Sequence, residues 1–198
     1  TEDDELLDLV AKSGCRGLFI GFESLSQQSL STWKKHCNRK RDYLEVVRKL
    51  HKKGIAICAA FVFGCDEDDR DVFATTLDFL LEANVETIQS TRLTPFPGTP
   101  LFKQMQKEGR LIDKEWSHYD FFHVVFQPLH MDPETLHLGT AWLQKEFYSY
   151  KNISRRIGKA ITYLSPDTIL RVVLPVNLGY RYKLSSYGAF ETGKSFQP

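Results

Sequence analysis

Three short apolar runs, separated by stretches long enough for a helix, constrain the fold of this chain more than any other feature of its sequence. The runs lie near residues 17–23, 55–64 and 85–93. Uninterrupted apolar segments of this length are typical of strands buried on both faces. Because helix-length connections join parallel strands through right-handed crossovers, we expect the three runs to pair in parallel in an α/β fold, with helices on one face.

The connecting segments carry helix signals. Apolar residues recur at helical spacing over residues 1–12 and 42–53. An acidic cluster at 66–69 favours a helix from there to about residue 83, because the helix dipole stabilises negative charge at the first turn.

The pattern changes after residue 100. A short helix is predicted over 102–108, and 118–127 is aromatic and expected to be extended. Asp-Pro-Glu and Ser-Pro-Asp sequences place a capping residue before a first-turn proline, which is typical of helix starts. Helices are therefore predicted over 132–150, 153–163 and 165–178, and the end of the chain from 183 is expected to be a loosely held tail.

Composition limits the class of protein and the cellular compartment that we expect. The 198 residues are 42% hydrophobic, enough for a core, yet no run of eighteen apolar residues predicts a membrane span. The four cysteines have neither zinc nor iron–sulfur spacing, and no secretion signal suggests a disulfide framework, so a cytoplasmic setting is expected. Residues 150–198 hold 8 basic and 2 acidic side chains among several tyrosines. Such a tail can bind RNA or dock on an acidic protein surface.

A carboxylate follows the first apolar run directly. Glu23 comes after Phe19-Ile20-Gly21-Phe22, so it should lie at the carboxyl end of a strand, where α/β sheets place their chemistry. Gly21 has no side chain and leaves room there for a ligand. From these residues alone, a helix cap or an ion pair remains an equal alternative for Glu23.

Four segments, in order, resemble the radical S-adenosylmethionine (SAM) superfamily. Residues 14–26 (GCRGLFIGFESLS) resemble the fourth barrel strand, and 34–38 (KKHCN) the basic segment that follows it. Residues 61–68 (FVFGCDED) resemble the fifth strand and its turn, and 93–101 (LTPFPGTPL) the turn after the sixth. The first segment is most similar to the subgroup that carries a cobalamin-binding domain, and the chain from residue 116 onward resembles that subgroup's helical extension.

The resemblance implies the C-terminal half of a partial (β/α)6 TIM-like barrel. Strands four to six would occupy residues 1–112, a mainly helical extension 113–183, and a tail 184–198. Family members hold a [4Fe–4S] cluster on a CxxxCxxC loop after the first strand, and this sequence has no such loop. At about 30 residues per βα unit, about 90 residues of barrel should precede Thr1. The cluster ligands would then lie outside this chain, which we expect to be inactive alone.

The resemblance also implies the chemistry. The reduced cluster would cleave SAM to a 5′-deoxyadenosyl radical, and a cobalamin could supply a methyl group, as in a C-methyltransferase or another C–H functionalising enzyme. Glu23 would accept hydrogen bonds from the ribose hydroxyls or ammonium of SAM. Lys35 (or Lys34) would lie near its methionine carboxylate, with a solvated helix face as the alternative. Arg92 would contact substrate or pair with Glu23. The predicted cofactor-binding residues are Gly21, Glu23, Lys35, Ala60, Val62, Gly64, Arg92 and Pro95.

No metal ligand is predicted in this chain. His118, His123, His130 and His137 lie five to seven residues apart, which is not a metal spacing, so structural roles or roles at the rim of a substrate site are expected.

The expected partners are the missing barrel half (on the same or a separate chain), a small-molecule substrate, and an electron donor such as flavodoxin or ferredoxin. Nucleic acid is not expected. Two alternatives remain open. One is an RNA-modifying enzyme of the methylthiotransferase sort, and the other is a non-catalytic split subunit or scaffold.

Overall fold

A computed structural model describes residues 3–32, 40–186 and 196–197. Its centre is a three-stranded sheet of β1 (Gly17–Glu23), β2 (Ala56–Phe63) and β3 (Thr87–Arg92), in that order, with both strand pairs parallel. The predicted strands and their parallel pairing are confirmed, to within two residues at each strand end.

Helices make up most of the remainder of the described chain. None of the described helices has the length and apolar character needed to cross a membrane. The helices are α1 (Asp4–Lys12), α2 (Gln27–Thr32), α3 (Lys40–Lys52), α4 (Val72–Ala83), α5 (Pro100–Lys107), α6 (Pro133–Phe147), α7 (Tyr150–Ala160), α8 (Pro166–Thr168) and α9 (Leu174–Ser186), with a 3₁₀ turn at Trp116–His118.

Several helix boundaries differ from the prediction. Helices α6 and α7 end three residues earlier than expected, and two further differences have a clear physical reason. Helix α4 begins at Val72 and not in the acidic cluster, because the Asp68 carboxylate accepts the backbone N–H groups of Gly64 and Cys65 and closes a separate turn. At the other end of the chain, α8 continues through a π-helical segment (Ile169–Val173) into α9. The predicted end near residue 178 is wrong, since α9 continues to Ser186.

The aromatic segment 118–127 is not a strand. It contains a turn and one isolated antiparallel bridge, between Leu111 and Phe126. Phe126 is buried in the core, whereas Phe121 and Phe122 are exposed.

The two faces of the sheet differ in burial. Helices α3 and α6 contact strands β2 and β3, and the side chains of Phe22, Phe61 and Phe63 are buried on that face. On the opposite face, Phe19 is 62% exposed and Gln89 is exposed. The expectation of strands buried on both faces is therefore wrong for this chain. Helices cover one face of the sheet, and we call the other the open face.

A buried polar network joins the helices of residues 133–186, which we call the helical part, to the segment that precedes β3. Arg156 of α7 donates to the carbonyl oxygens of Val85 (3.2 Å) and Glu86 (2.6 Å) just before β3. It also donates to the carbonyl of Phe147 at the end of α6 and to Oδ1 of Asn177 in α9. Burial lowers the pKa of Arg156 to about 10. One guanidinium thus links β3 to three helices.

Candidate functional site

The open face brings three of the predicted residues together. Gly21 of β1 pairs with Ala60 of β2, and Val62 lies two residues further along the same strand. Alternate residues of a strand share a face, so all three lie on the open face. Each is only partly buried. Only the small side chains of Ala60 and Val62 rise from the backbone there, since Gly21 has none.

Glu23 lies at the carboxyl end of β1 and on the same face. The strand has a register irregularity between Gly21 and Glu23, and Glu23 has a φ of 68°, in the left-handed region that non-glycine residues rarely adopt. A Cβ atom built on Gly21 would lie 2.6 Å from Oε1 of Glu23. The carboxylate therefore occupies the space that the absent side chain leaves.

The strand end that presents Glu23 is held firmly. The Tyr43 hydroxyl donates to the carbonyl oxygens of Phe22 (2.6 Å) and Ser24 (3.2 Å), on either side of Glu23. Tyr43 is itself buried and packs edge-to-face against the ring of Phe22. This arrangement supports a carboxylate that can accept hydrogen bonds from hydroxyl or ammonium groups above the open face.

Gly64 shapes the turn after β2. Its φ is 98°, and an added Cβ would lie 2.7 Å from Cδ2 of Leu136 and 3.1 Å from Cζ of Phe126. The Asp68 carboxylate accepts the N–H groups of Gly64 (2.9 Å) and Cys65 (3.0 Å), and burial raises the pKa of Asp68 to about 6. The turn thus needs glycine for conformation and for packing.

Arg92 ends β3 on the covered side of the sheet, in register with Phe63. Its guanidinium donates to the carbonyl oxygens of Phe122 and of His137 (3.1 Å). Burial lowers the pKa of Arg92 to about 10. The expected pairing with Glu23 is not formed in this structure. Arg92 instead fastens α6 and the loop before it to the end of β3.

Two predicted site residues remain. Pro95 is buried in the loop after β3, and its neighbour Phe96 is exposed. Lys35 lies outside the described residues, as does the rest of the 34–38 segment, so its contact with the cofactor stays a prediction.

Residues 113–123 form a loop, which we call the aromatic loop. Sequence reasoning expected an extended segment over 118–127 and did not predict the Asp–His pairs of this loop. The backbone N–H of Arg92 donates to the carbonyl of Phe121 (3.0 Å), which holds this loop at the carboxyl end of β3. The ring of Phe121 contacts that of Phe96, with centroids 5.1 Å apart. Phe122 is 59% exposed. Aromatic rings therefore line the same edge of the sheet that presents Glu23.

The aromatic loop also carries two histidine–aspartate pairs. Nδ1 of His118 lies 2.7 Å from Oδ2 of Asp113, and Nδ1 of His123 lies 2.9 Å from Oδ2 of Asp120. The two imidazole rings stack, with centroids 4.4 Å apart. The hydrogen bond to Asp113 raises the pKa of His118. The spacing Asp120-x-x-His123 is the sequence signal that could have indicated one of these pairs.

Comparison with known proteins identifies the family. No family model matches the sequence. The chain is 38% identical over 161 residues (81% of the chain, 35% of the relative) to bacteriochlorophyllide d C-12(1)-methyltransferase of Chlorobaculum tepidum. It is 22% identical over 198 residues (100% of the chain, 43% of the relative) to bacteriochlorophyllide d C-8(2)-methyltransferase of the same organism. Hopanoid C-2 methylase of Rhodopseudomonas palustris is 28% identical over 119 residues (59% of the chain, 23% of the relative).

The chain belongs to the radical SAM superfamily. The resemblance carried by the four motifs is thereby confirmed. The chain spans 35% and 43% of the lengths of the two bacteriochlorophyllide methyltransferases.

The three parallel strands and the helices that follow them agree with the predicted half of a radical SAM barrel and its helical extension. In that architecture the helices lie outside the barrel, so the open face is the side that would face the barrel interior. Four predicted residues, Gly21, Glu23, Ala60 and Val62, lie on that face.

Proposed function

We propose that this chain forms one wall of the SAM site in a radical SAM C-methyltransferase. The observation that carries the proposal is the Glu23 carboxylate, held over Gly21 at the carboxyl end of β1 on the open face. The relatives at 38% and 22% identity are both methyltransferases, which supports the reaction class.

Different residues of the open face would contact the polar groups of SAM and its adenine ring. Glu23 would accept hydrogen bonds from the ribose hydroxyls or the ammonium group, which a carboxylate does more strongly than a neutral oxygen. Ala60 and Val62 would provide a low apolar surface for the adenine ring. Lys35 would contact the methionine carboxylate.

SAM bound to a reduced [4Fe–4S] cluster supplies reductive cleavage and hydrogen abstraction, and a cobalamin would supply the methyl group. The ligands of the cluster and the cobalamin-binding domain are proposed to lie in the remainder of the barrel and before it. An electron donor such as flavodoxin or ferredoxin would reduce the cluster. What this chain contributes is the orientation of SAM and the exclusion of water from one side.

The RNA-modifying alternative has less support. It predicts a small β-barrel module at the C-terminus, whereas the described part of the chain beyond residue 132 is helical. We therefore propose a small-molecule substrate.

The test is the variant Glu23→Gln in the protein that contains the whole barrel. We expect SAM to bind about ten- to a hundred-fold more weakly, because loss of a charge-assisted hydrogen bond costs about 1.5–3 kcal/mol. The absorption of the [4Fe–4S] cluster should not change. SAM affinity is measured by calorimetry on the reconstituted protein.

The matched control is Glu82→Gln, an exposed glutamate of α4. This variant should bind SAM as the parent protein does. If Glu23→Gln lowers the melting temperature and leaves SAM affinity unchanged, Glu23 is a structural residue and the proposal is wrong.

A further inference from the structure

The aromatic loop holds the His118 and His123 pairs at the carboxyl end of β3, the end of the sheet at which β1 presents Glu23. Its position is set by two contacts with the last residue of β3, since both the backbone N–H and the guanidinium of Arg92 donate to carbonyl oxygens of the loop. These pairs have no role in holding SAM in the function proposed above.

His123 has the surroundings of a metal-ligating histidine. Its Nδ1 is bonded to Asp120, and the other carboxylate oxygen of Asp120 accepts the backbone N–H groups of Phe122 (2.8 Å) and His123 (3.0 Å). A carboxylate fixed in this way selects the tautomer with Nε2 as acceptor and orients the ring. Among the described residues no hydrogen-bond partner occupies Nε2, and the His123 side chain is 52% exposed.

A bare metal ion has too few ligands here. Among the residues that the structure describes, no group of three or more His, Cys, Asp or Glu side chains could hold one. A metal already held by the four nitrogens of a tetrapyrrole is different, because its axial position needs only one protein ligand, commonly an imidazole.

The surface around His123 suits a flat apolar ring system. Phe121 and Phe122 directly precede it in the sequence, and Phe96 contacts Phe121. All three phenylalanine side chains are exposed, although they are large and apolar. Aromatic rings that remain exposed beside a polar anchor are typical of a binding surface for an aromatic ligand.

We propose that His123 is the axial ligand to the central metal of a tetrapyrrole substrate whose face lies against Phe122 and Phe96. The inference rests on the proposed function and adds the substrate class to it. The two bacteriochlorophyllide methyltransferases support that class by name, since a bacteriochlorophyllide is a magnesium tetrapyrrole.

The experiment is a titration of this chain with zinc(II) protoporphyrin IX, followed by the position of the Soret band. We expect a red shift from axial ligation in the parent chain. His123→Ala should abolish the shift and weaken binding by about ten-fold or more, the scale on which a metal site responds to loss of its supporting groups. Metal-free protoporphyrin IX should bind both proteins equally and more weakly than the zinc complex binds the parent.

Two further variants make the result specific. His130→Ala removes another exposed histidine and should behave as the parent chain does. His123→Gly should regain the Soret shift when free imidazole is added, which a misfolded variant would not do. A shift that persists in His123→Ala, or equal affinity of the parent for the zinc and metal-free rings, would overturn the proposal. The assay contains neither SAM nor a cluster, so its failure leaves the proposed reaction class untouched.

Discussion

At the scale of single residues, the candidate site depends on a close approach between Gly21 and Glu23. Oε1 of Glu23 lies where a side chain at position 21 would begin. The atom that would meet a new Cβ is the end of a flexible side chain, so the clash can be relieved by moving the carboxylate. A side chain at position 21 is therefore expected to displace the Glu23 carboxylate without lowering the stability of the fold.

Gly21→Ala should therefore weaken SAM binding in the whole-barrel protein by about ten-fold, since a displaced carboxylate loses most of a charge-assisted hydrogen bond. The melting temperature should change little. Gly17→Ala is the control in the same strand, because a Cβ there would lie 3.5 Å from the nearest atom, an ordinary contact. Equal SAM affinity in both variants would show that the carboxylate position is unimportant.

Asp68 makes a second residue-scale prediction, on pH. Burial raises its folded-state pKa from 3.8 to about 6. The folded protein therefore binds a proton more tightly than the unfolded chain does. The contribution of this tighter proton binding to the free energy of unfolding is complete below about pH 4. About 2–3 kcal/mol of that free energy is lost as the pH rises through 6.

Asp68→Asn should remove this loss. The amide oxygen can still accept the N–H groups of Gly64 and Cys65, so the turn keeps its hydrogen bonds. Urea unfolding between pH 4 and 7 should show a flatter profile for Asp68→Asn than for Asp71→Asn, a control at an exposed position that makes no side-chain cap. Identical profiles would contradict the assigned origin of the pH dependence.

The sequence predicted the position of Glu23 at the carboxyl end of β1, because a carboxylate that directly follows an apolar strand lies where that strand ends. The SAM contact of Glu23 and Gly21 stays a prediction. Sequence reasoning failed for Arg92, whose side chain follows the alternation of β3 onto the covered face and bonds carbonyls from residues 122 and 137. Such backbone acceptors leave no trace in the residue types. The Asp113–His118 pair was missed for a similar reason, since it forms within an irregular turn whose residues follow no helix or strand period.

At the scale of elements, the covered face depends on how α6 lies against α4. A Cβ atom on Gly139 of α6 would fall 2.2 Å from Cε2 of Phe73 in α4, and Phe73 is fully buried in the core. Because buried rings have little freedom to move, glycine is required at this crossing. The helix itself would prefer alanine at that position.

Gly139→Ala should therefore destabilise the fold by about 1–3 kcal/mol, the usual effect of overpacking a core. Gly158→Ala in α7 is the matched control, because nothing lies within 4 Å of an added Cβ there. It should raise stability by about 0.5–1 kcal/mol through helix propensity alone. Denaturant unfolding of both variants measures the contrast, and equal signs would show that the α4–α6 contact is looser than the structure indicates.

Strand positions were predictable because apolar runs that are joined by helix-length segments pair in parallel in one sheet. Helix ends were less so. The acidic cluster before α4 looks like a first turn, yet Asp68 uses its carboxylate to close the turn after β2. The last helix was predicted to end near residue 178 but continues to Ser186. The π-helical segment before it accommodates Pro175, since Leu174 donates to the carbonyl of Ile169 and Pro175 has no N–H to place.

At the scale of the whole molecule, Arg156 links the helical part to the sheet. Its guanidinium donates hydrogen bonds to carbonyl oxygens before β3 and at the end of α6. It also donates to the side-chain amide oxygen of Asn177 in α9. The guanidinium also stacks on the ring of Phe147, 3.6 Å from its centroid. This arrangement predicts that the sheet and the helices unfold together.

Arg156→Ala should destabilise the chain by more than about 3 kcal/mol, because several buried acceptors lose their donors at about 1–3 kcal/mol each. Arg155→Ala, at an exposed position of the same helix, is the control and should change stability by less than about 0.5 kcal/mol. Limited proteolysis should cut the helical part of the Arg156 variant first. Similar stability of the two variants would contradict the linking role.

A second whole-molecule prediction concerns the cluster. No CxxxCxxC loop occurs in the sequence, so this chain reconstituted with iron and sulfide should show no stoichiometric [4Fe–4S] absorption and no reductive cleavage of SAM. Adding a polypeptide that carries the first barrel half should restore both. Cleavage of SAM by the chain alone would show that the boundary of the active site has been misread.

The left-handed backbone of Glu23 has a consequence for the evolution of this position. A non-glycine residue at a φ of 68° costs of order 1 kcal/mol relative to glycine or asparagine. A library of variants at position 23 selected for thermal stability alone should therefore drift toward glycine. One selected for SAM binding should keep glutamate, and the divergence between the two populations would measure how far stability and activity are in conflict at this site.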